Sequence, residues 1–247
     1  MTYSVIEQPH LPTGKVCHLI AGKTLPRTMS DKLKEENIQI LYTRPLPMVE
    51  TSLSNHADLS VCPIHGGKVI LAPSQVALKD KLISLGICVI MSEKEPHSPY
   101  PNDCALNFLY NNNKSIINSN VHTFTDYTKF ISVKQGYVKC SVAPVAQNAI
   151  VTDDAAIART ASANGFEVCF VEKGDVKLNG YPYGFIGGCC GKIDCNVMAF
   201  CGDISLHRNY ADIKRFLFNH GVEIYNVEPG QPLLDIGSLI PITQLKG

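Results

Sequence analysis

One pattern of apolar and polar positions recurs along the chain. An amphipathic segment with helical spacing is followed by a residue that ends helices and then by a short run rich in β-formers. The predicted helices are 30–36, 74–85, 126–135, 153–164 and 212–220. Each begins at a residue able to cap a helix, namely Ser30, Ser74, Asp126, Asp153 and Asp212. Glycine follows four of them, and Asn37 takes that place after the first, where a left-handed backbone is expected.

An apolar run with the length of a strand precedes each predicted helix, and a second such run is assigned to each unit. The nearer runs are 16–21, 68–73, 114–119, 148–153 and 202–207. The outer runs are 57–64, 103–110, 141–146, 193–200 and 235–242. The repeating unit is therefore strand, strand, helix, strand, and it occurs five times. No helix follows the run 235–242, so this run is expected to pair with the first unit.

The order of these elements predicts the fold class. A strand, a helix and a further strand in succession require parallel strands joined by a right-handed crossover. Five ββαβ units around an axis predict one domain over residues 1–247, a pseudo-fivefold α/β propeller with a central pocket. Closing the ring would also remove exposed sheet edges. A doubly wound open sheet has the same alternation and is the competing fold.

Composition narrows the classes of function. The chain has 22 basic and 22 acidic side chains and no run of Lys or Arg, so no nucleic acid partner is expected. No apolar run reaches the roughly 18 to 20 residues of a membrane span, and no membrane partner is expected. The N-terminal MTYSVIEQPHLP lacks the pattern of a secretory signal, which favours a cytoplasmic protein. The ten cysteines lie mostly in apolar runs and are expected to be reduced.

The segment 172–200 differs from the rest of the chain. It contains glycines at 174, 180, 184, 187, 188 and 191, and three thiols close to Lys192. Glycine permits a close approach of the backbone to a ligand and weakens helices and strands. We therefore interpret this segment as the wall of a pocket, with a plain irregular connection as the alternative. The thiols lack the C-x2-C spacing of zinc sites, so neither a metal nor a cofactor is expected.

Three segments with acidic residues resemble motifs of one fold family: PNDCALNF (101–108), VEKGDVKLNG (171–180) and CGKIDCNVMAF (190–200). They are similar to the "RD", "EGGD" and "GHxD" segments of the pentein proteins. That family includes deiminases, dimethylarginine dimethylaminohydrolase, amidinotransferases and a non-catalytic ribosomal anti-association factor. The resemblance implies that a small ligand is bound by Asp103, Asn102, Glu172, Asp175 and Asp194. Asn102 stands where the motif has arginine.

The chain departs from these enzymes at the two positions that carry their chemistry. Lys192 stands at the histidine of "GHxD", and the C-terminal loop 233–244 contains no cysteine. Ser238 or Pro241 occupies the place of that nucleophile, depending on the alignment. Proline has no nucleophilic group, and serine is a poor nucleophile without an adjacent base. Cys189 and Cys190 lie near Lys192, and Cys104 adjoins Asp103. These three are the candidates for a relocated thiol nucleophile, because an ammonium group beside a thiol favours the thiolate.

Three functional hypotheses follow. The first is a binding protein with an acidic central pocket for a small guanidino, amine or amino-acid-like ligand, without Cys–His hydrolysis. The second is a hydrolase or transferase that acts on the C–N bonds of a guanidino compound through Lys192 and a relocated cysteine or serine. The third is a partner-binding protein similar to the anti-association factor. The sequence is also compatible with a homo-oligomer.

Overall fold

A computed structural model describes residues 2–111, 114–121 and 130–246. The fold is mixed α/β and consists of several small sheets with helices packed on them. Within the described ranges the helices are α1 (Arg27–Glu35), α2 (Ala57–Ser60), α3 (Val76–Ser84), α4 (Ala155–Ala163) and α5 (Tyr210–Asn219). The strands are β1 (Tyr3–Val5), β2 (Val16–Ala21), β3 (Gln39–Tyr42), β4 (Val61–Ile64), β5 (Lys68–Leu71), β6 (Cys88–Met91), β7 (Leu109–Asn111), β8 (Lys114–Ile117), β9 (Phe130–Ser132), β10 (Val142–Ala146), β11 (Ala149–Thr152), β12 (Glu167–Phe170), β13 (Val176–Lys177), β14 (Cys190–Asp194), β15 (Val197–Phe200), β16 (Glu223–Asn226), β17 (Leu233–Leu234) and β18 (Ile240–Leu245).

Five of the sheets have the same internal order. Their strand orders are β18-β2-β3 (extended by β1), β4-β5-β6, β7-β8-β9, β10-β11-β12 and β14-β15-β16. We call these the first to fifth sheets. In each, the first pair of strands is antiparallel and the second pair is parallel. Helices α1, α3, α4 and α5 connect the parallel strands of four sheets, as the predicted strand–strand–helix–strand unit requires.

The C-terminal strand returns to the first sheet. Strand β18 pairs with β2 in antiparallel register, with Ile240 opposite Ile20. This pairing confirms the expectation that the last apolar run joins the first unit. Among the described residues the hydrogen-bonded sheets are separate, and none of them closes on itself.

Four of the five predicted helix ends are confirmed by backbone angles. Asn37, Gly86, Gly165 and Gly221 have φ values of 63°, 81°, 82° and 66°. This left-handed conformation turns the chain sharply at the end of a helix and lets it enter the next strand. The helices pack through the spacing expected of them: Leu78 and Leu82, one turn apart on α3, are buried in the core beneath the second sheet.

Several predicted elements and four predicted caps are wrong. Of the outer runs, 57–64 begins with helix α2, 103–110 begins in a 3₁₀ turn, and 193–200 spans the turn between β14 and β15. Gln75 and Asn209, not Ser74 and Asp212, hold the N-cap positions of α3 and α5.

The segment 130–132, placed in a helix at 126–135, is strand β9, and residues 126–129 lie outside the described part of the chain. The run 202–207 is not a strand, because the Asp203 side chain accepts the backbone N–H of Ser205 and starts a 3₁₀ turn there. Strand β15, not this run, is the middle strand of the fifth sheet and pairs with β14 and β16. Helix α1 begins before Ser30, which is buried within it, and Asp154 rather than Asp153 caps α4.

The glycines of the segment 184–191 allow parts of different sheets to touch. A Cβ atom on Gly187 would lie 2.3 Å and 2.4 Å from the backbone oxygens of Val142 and Lys139. One on Gly188 would lie 2.1 Å from Oδ1 of Asp235. These distances are below any contact that a real Cβ makes, so only glycine fits without displacing the neighbouring backbone. The segment is therefore packed into the centre of the fold rather than exposed as an irregular connection.

We expect Gly187→Ala to destabilise the protein by more than about 2 kcal/mol, because an inserted methyl group would force two backbone segments apart. The free energy of unfolding in urea measures the effect. Gly14→Ala is the matched control, since a Cβ there meets a single atom at an ordinary 3.5 Å, and it should change stability by less than about 0.5 kcal/mol. Equal stabilities of the two variants would contradict the close packing of Gly187 against the backbone of Val142 and Lys139.

In the described part of the chain, we find no helix with the length and apolar character needed to cross a membrane.

Candidate functional site

A buried polar cluster joins the segments that lead into the first strands of the five sheets. We call this cluster the central hub and define it by six residues, each two or three positions before such a strand. They are Asp58, Asn107, Lys139, Cys140, Gly187 and Ser238. All six are buried. Side-chain and backbone hydrogen bonds connect them across sequence separations of up to 180 residues.

Ser238 is the point where three of these segments meet. Its hydroxyl donates to Oδ2 of Asp58 at 2.6 Å and accepts from Nζ of Lys139 at 3.0 Å. Lys139 also donates to the backbone oxygen of Gly187 at 3.1 Å. Ser238 has a φ of 72°, a conformation that is uncommon for a residue with a side chain, so these contacts hold it there at a cost. The ammonium and the carboxylate are thus linked through one hydroxyl group, which offsets the penalty of burying both charges.

Asn107 and Cys140 complete the hub from the third and fourth sheets. The side-chain amide of Asn107 donates to the backbone oxygen of Asp58 at 3.0 Å and lies 3.1 Å from Sγ of Cys140. The thiol of Cys140 donates to Oδ2 of Asp58 at 3.2 Å. Burial, followed by the negative charge of Asp58, holds the pKa of the Cys140 thiol well above its usual range. This environment favours the protonated thiol.

A cavity of about 230 Å³ lies against the hub. Its walls are aromatic or aliphatic, and three side chains able to carry charge or react lie within them. The lining residues are Leu53, His56, Leu59, Tyr137, Cys140, Leu178, Tyr181, Pro182, Tyr183, Phe185 and Asp235. A concave, mostly apolar space with a few convergent polar groups is the usual form of a small-molecule site.

Asp235 and His56 form the polar end of this cavity. Oδ1 of Asp235 lies 3.7 Å from Nδ1 of His56, and the two side chains are 1% and 2% exposed. The carboxylate also accepts the backbone N–H groups of Phe185 and Gly237. Burial raises the pKa of Asp235, and the proximity of His56 opposes that shift. Nε2 of His56 is buried and makes no hydrogen bond within the described residues, as is also true of Oδ1 of Asp58.

A series of aromatic rings in tilted and edge-to-face contact forms one wall. The ring centroids of Tyr100 and Tyr137 are 5.3 Å apart, those of Tyr137 and Phe185 are 6.1 Å apart, and those of Phe185 and Tyr183 are 6.3 Å apart. The hydroxyl of Tyr137 donates to Oδ2 of Asp103 at 2.5 Å behind this wall. Burial raises the pKa of Asp103, and the hydrogen bond from Tyr137 lowers it in part.

The acidic residues predicted from the resemblance do not gather at this cavity. Asp103 reaches it only through Tyr137. Glu172 and Asp175 are paired with the guanidinium of Arg208 near the surface, with N–O distances of 3.3 Å and 2.9 Å. That pairing lowers the pKa of Asp175 to about 2.

Two further predicted ligand-binding residues form hydrogen bonds with nearby backbone groups. Asp194 accepts the backbone N–H of Cys195 within its own hairpin, at 2.6 Å. The exposed side chain of Asn102 donates to the backbone oxygen of Pro99 at 3.1 Å. Neither residue is among those that line the cavity within the described chain.

The four predicted catalytic residues are also separated. Nζ of Lys192 donates to the backbone oxygens of Val145 and Cys195, and burial lowers its pKa. The thiols of Cys189 and Cys190 both donate to the backbone oxygen of Ile186 inside a hydrophobic cluster. Burial raises the pKa of Cys189 well above its usual range. Ser238 lies in the hub, so the structure does not bring it together with Lys192.

The sequence analysis missed His56, Lys139, Cys140 and Asp235. The cavity contains one thiol and one imidazole, and both come from segments other than those that carry the motifs. Each missed residue lies in a segment that leads into the first strand of a sheet. Four of the five segments have a polar residue at nearly the same place, and the fifth has Gly187 there. This repetition is the signal in the sequence that could have identified these segments. The described residues contain no group of three or more His, Cys, Asp or Glu able to hold a metal ion.

The fold is that of the pentein proteins. Solved structures with this fold include the amidinotransferase SxtG of Microseira wollei, with 10% identity, a TM-score of 0.54 and coverage of 92% of this chain and 91% of that one. They also include the agmatine deiminase of C. jejuni, with 9% identity, a TM-score of 0.53 and coverage of 89% and 90%. A third is DDAH of Pseudomonas aeruginosa, with 10% identity, a TM-score of 0.50 and coverage of 87% and 92%.

The chain belongs to DUF6873, a family of unknown function whose model matches residues 20–240. No curated protein sequence matches it.

We expect stability to fall as pH rises through about 7, because burial raises the pKa of Asp153 from its usual 3.8 to about 7. The folded state then holds a proton that the unfolded chain releases near its lower pKa, so the stabilisation is complete in acid and lost above about pH 7. Because of this single group, the free energy of unfolding should fall by about 2 kcal/mol between about pH 5.5 and pH 8.5.

Asp153→Asn should remove that part of the pH dependence. Its amide oxygen can still accept the backbone N–H of Ile186, which Oδ2 of Asp153 accepts at 2.8 Å. Urea unfolding at the two pH values measures the difference, and Asp80→Asn on the exposed face of α3 is the control. A pH dependence identical in wild type and Asp153→Asn would show that this carboxyl keeps its ordinary pKa.

Proposed function

We propose that the protein binds a small organic cation, a guanidino, amine or amino-acid-like compound, in the cavity beside the hub. The observation that carries the proposal is the buried carboxylate of Asp235 next to the unpartnered Nε2 of His56, at the end of an aromatic cavity. A carboxylate that is buried without a full cationic partner is costly, and a bound cation would supply that partner. Aromatic faces attract the same class of ligand through cation–π contacts.

We further propose that the five sheets stand in a ring around the hub, as a five-unit α/β propeller with the cavity on its axis. The shared strand order of the five sheets supports this arrangement. So does the contact of their lead-in segments at one buried cluster, together with the return of β18 to β2. In this arrangement each unit contributes residues to one site from an equivalent position.

The names of the structural neighbours point to the same chemistry. They are an amidinotransferase, an agmatine deiminase and DDAH in a complex with citrulline, and agmatine and citrulline carry a guanidino and a ureido group. Asp103 contributes to the proposed site through Tyr137, which forms part of the aromatic wall. The other residues predicted from the resemblance have no role in this proposal.

A second candidate is a thiol hydrolase or transferase in which Cys140 is the relocated nucleophile. The observation that favours it is the presence of Cys140 and His56 in the lining of one cavity. Sulfur would form a bond to the central carbon of a guanidinium, and Asp58 would accept the thiol proton that it already binds at 3.2 Å. The C–N bond would then break as His56 gives a proton to the departing amine, and water would release the product by cleaving the C–S bond. A cation bound beside Cys140 would favour the thiolate.

Asp235→Asn should weaken binding of a cationic ligand by about tenfold or more, which corresponds to about 1.4 kcal/mol. A thermal-shift panel of arginine, agmatine, citrulline and related amines identifies a ligand, and titration calorimetry then compares the variants. Asp212→Asn, a surface change in an exposed ion pair with Arg215, is the control. The pocket proposal fails if no compound raises the melting temperature or if Asp235→Asn binds as tightly as wild type.

Ligand affinity should rise with pH over a range where an ordinary carboxyl group is already ionised. The reason is that burial raises the pKa of Asp235, and the neutral acid cannot pair with a cation. Calorimetric titrations across that range measure the change. An affinity that does not change with pH would indicate that the ligand does not contact this carboxylate.

Cys140→Ala separates the two candidates. A binding protein should keep its ligand affinity within about threefold in this variant, because the thiol is uncharged, and should form no product. An enzyme should release ammonia, an amine or a ureido product from the ligand, and Cys140→Ala should abolish that release. Cys88→Ala, which alters an exposed thiol, is the matched control. Binding of a macromolecule that is insensitive to both variants would favour the partner-binding hypothesis instead.

A further inference from the structure

The residues that line the cavity indicate which chemical groups the ligand can have at the end away from Asp235. This inference rests on the proposed function, because it concerns the same site. Eight of the eleven lining residues are aromatic, aliphatic or proline, and the potentially charged or reactive groups are His56, Cys140 and Asp235. Among the described residues that line the cavity there is no lysine or arginine. A ligand that carries a carboxylate would therefore meet no lysine or arginine in the lining, and the imidazole of His56 lies beside the carboxylate of Asp235.

The outer wall of the cavity carries a negative charge. Tyr181 lines the cavity and is partly exposed, and its hydroxyl donates to Oε2 of Glu50 at 2.9 Å. Ser52 donates to the other carboxylate oxygen of Glu50 at 2.8 Å, so the side chain of Glu50 is held from two sides. Burial and the charge of Glu50 raise the pKa of Tyr181 to about 12. An anionic group on a ligand near this wall would be repelled.

The nearby basic groups already have partners. Lys139 is buried in the hub and donates to Gly187 and Ser238. Arg208 is paired with Asp175 and Glu172. Lys173 lies over the rings of Tyr183 and Phe185, with its Nζ 5.6 Å and 5.2 Å from their centroids. It is the basic side chain that a carboxylate at this wall would use, which makes it the residue to test.

We propose that the cavity selects an apolar organic cation without a carboxylate, an alkyl or aryl amine or guanidine, over an α-amino acid of the same length. The cationic end would pair with Asp235, and the apolar body would lie along the rings of Tyr137, Phe185 and Tyr183. Glu50 discriminates against an anionic group at the other end.

Two matched pairs of compounds test this selection by calorimetry on the full chain at low salt and about pH 8. Agmatine and arginine differ only by the carboxylate, as do phenethylamine and phenylalanine. In each pair the compound without the carboxylate should bind about tenfold or more tightly. Equal or tighter binding of either amino acid overturns the inference and leaves the proposed function intact. Failure of all four compounds to bind overturns both.

Two variants test the cause of the selection. Glu50→Gln should narrow the ratio of agmatine to arginine affinity by about threefold or more, and the effect should shrink at high salt because Glu50 is exposed. Glu93→Gln, at an exposed position on another loop, is the matched control and should leave the ratio unchanged. Lys173→Met should also leave the ratio of agmatine to arginine affinity unchanged. A ratio unaffected by Glu50→Gln, or a loss of arginine affinity confined to Lys173→Met, would overturn the proposed basis of selection.

Discussion

The hydrogen bonds that join Asp58, Ser238 and Lys139 are the interaction on which the rest of the structure depends. The carboxylate and the ammonium are both buried, and Ser238 lies between them with contacts of 2.6 Å and 3.0 Å. Removing one member would leave a buried charge without its partner, which is far more costly than never having buried the pair. The three residues come from three different sheets, so the cluster is satisfied only when those sheets are correctly placed. We infer that the hub selects one arrangement of sheets that are separate in their hydrogen bonding.

The cavity depends on the same cluster. Cys140 belongs to both, because its backbone N–H bonds to Asn107 of the hub and its side chain lines the cavity. Asp235 is fixed by the backbone N–H groups of Phe185 and Gly237, which adjoin hub segments. The glycines at 187 and 188 bring these segments close enough for the contacts to form. The polar end of the cavity is therefore held by rigid surroundings, and a ligand would meet its carboxylate already in place.

The motif residues that resemble those of guanidino-modifying enzymes have structural roles in this chain. Arg208 neutralises Glu172 and Asp175, and the ammonium of Lys192 satisfies two backbone oxygens. The polar groups of the cavity come instead from the segments that lead into the second, fourth and first sheets, through His56, Cys140 and Asp235. A fold with five similar units offers several equivalent positions for a functional side chain, so its chemistry can be supplied by a different unit.

The amino-acid sequence by itself determined the local elements and their order. Apolar spacing gave four of the helices, and the residues after them adopt left-handed angles, as at Asn37 and Gly86, because the geometry that ends a helix involves only neighbouring residues. The pairing of β18 with β2 was also predictable, since a strand without a helix needed a partner. The side chains that meet at the centre were decided by the tertiary structure alone. Ser238 and Asp58 are 180 residues apart and Cys140 and Asp58 are 82 apart, so no local pattern distinguishes them from acids such as Asp175 that are paired near the surface.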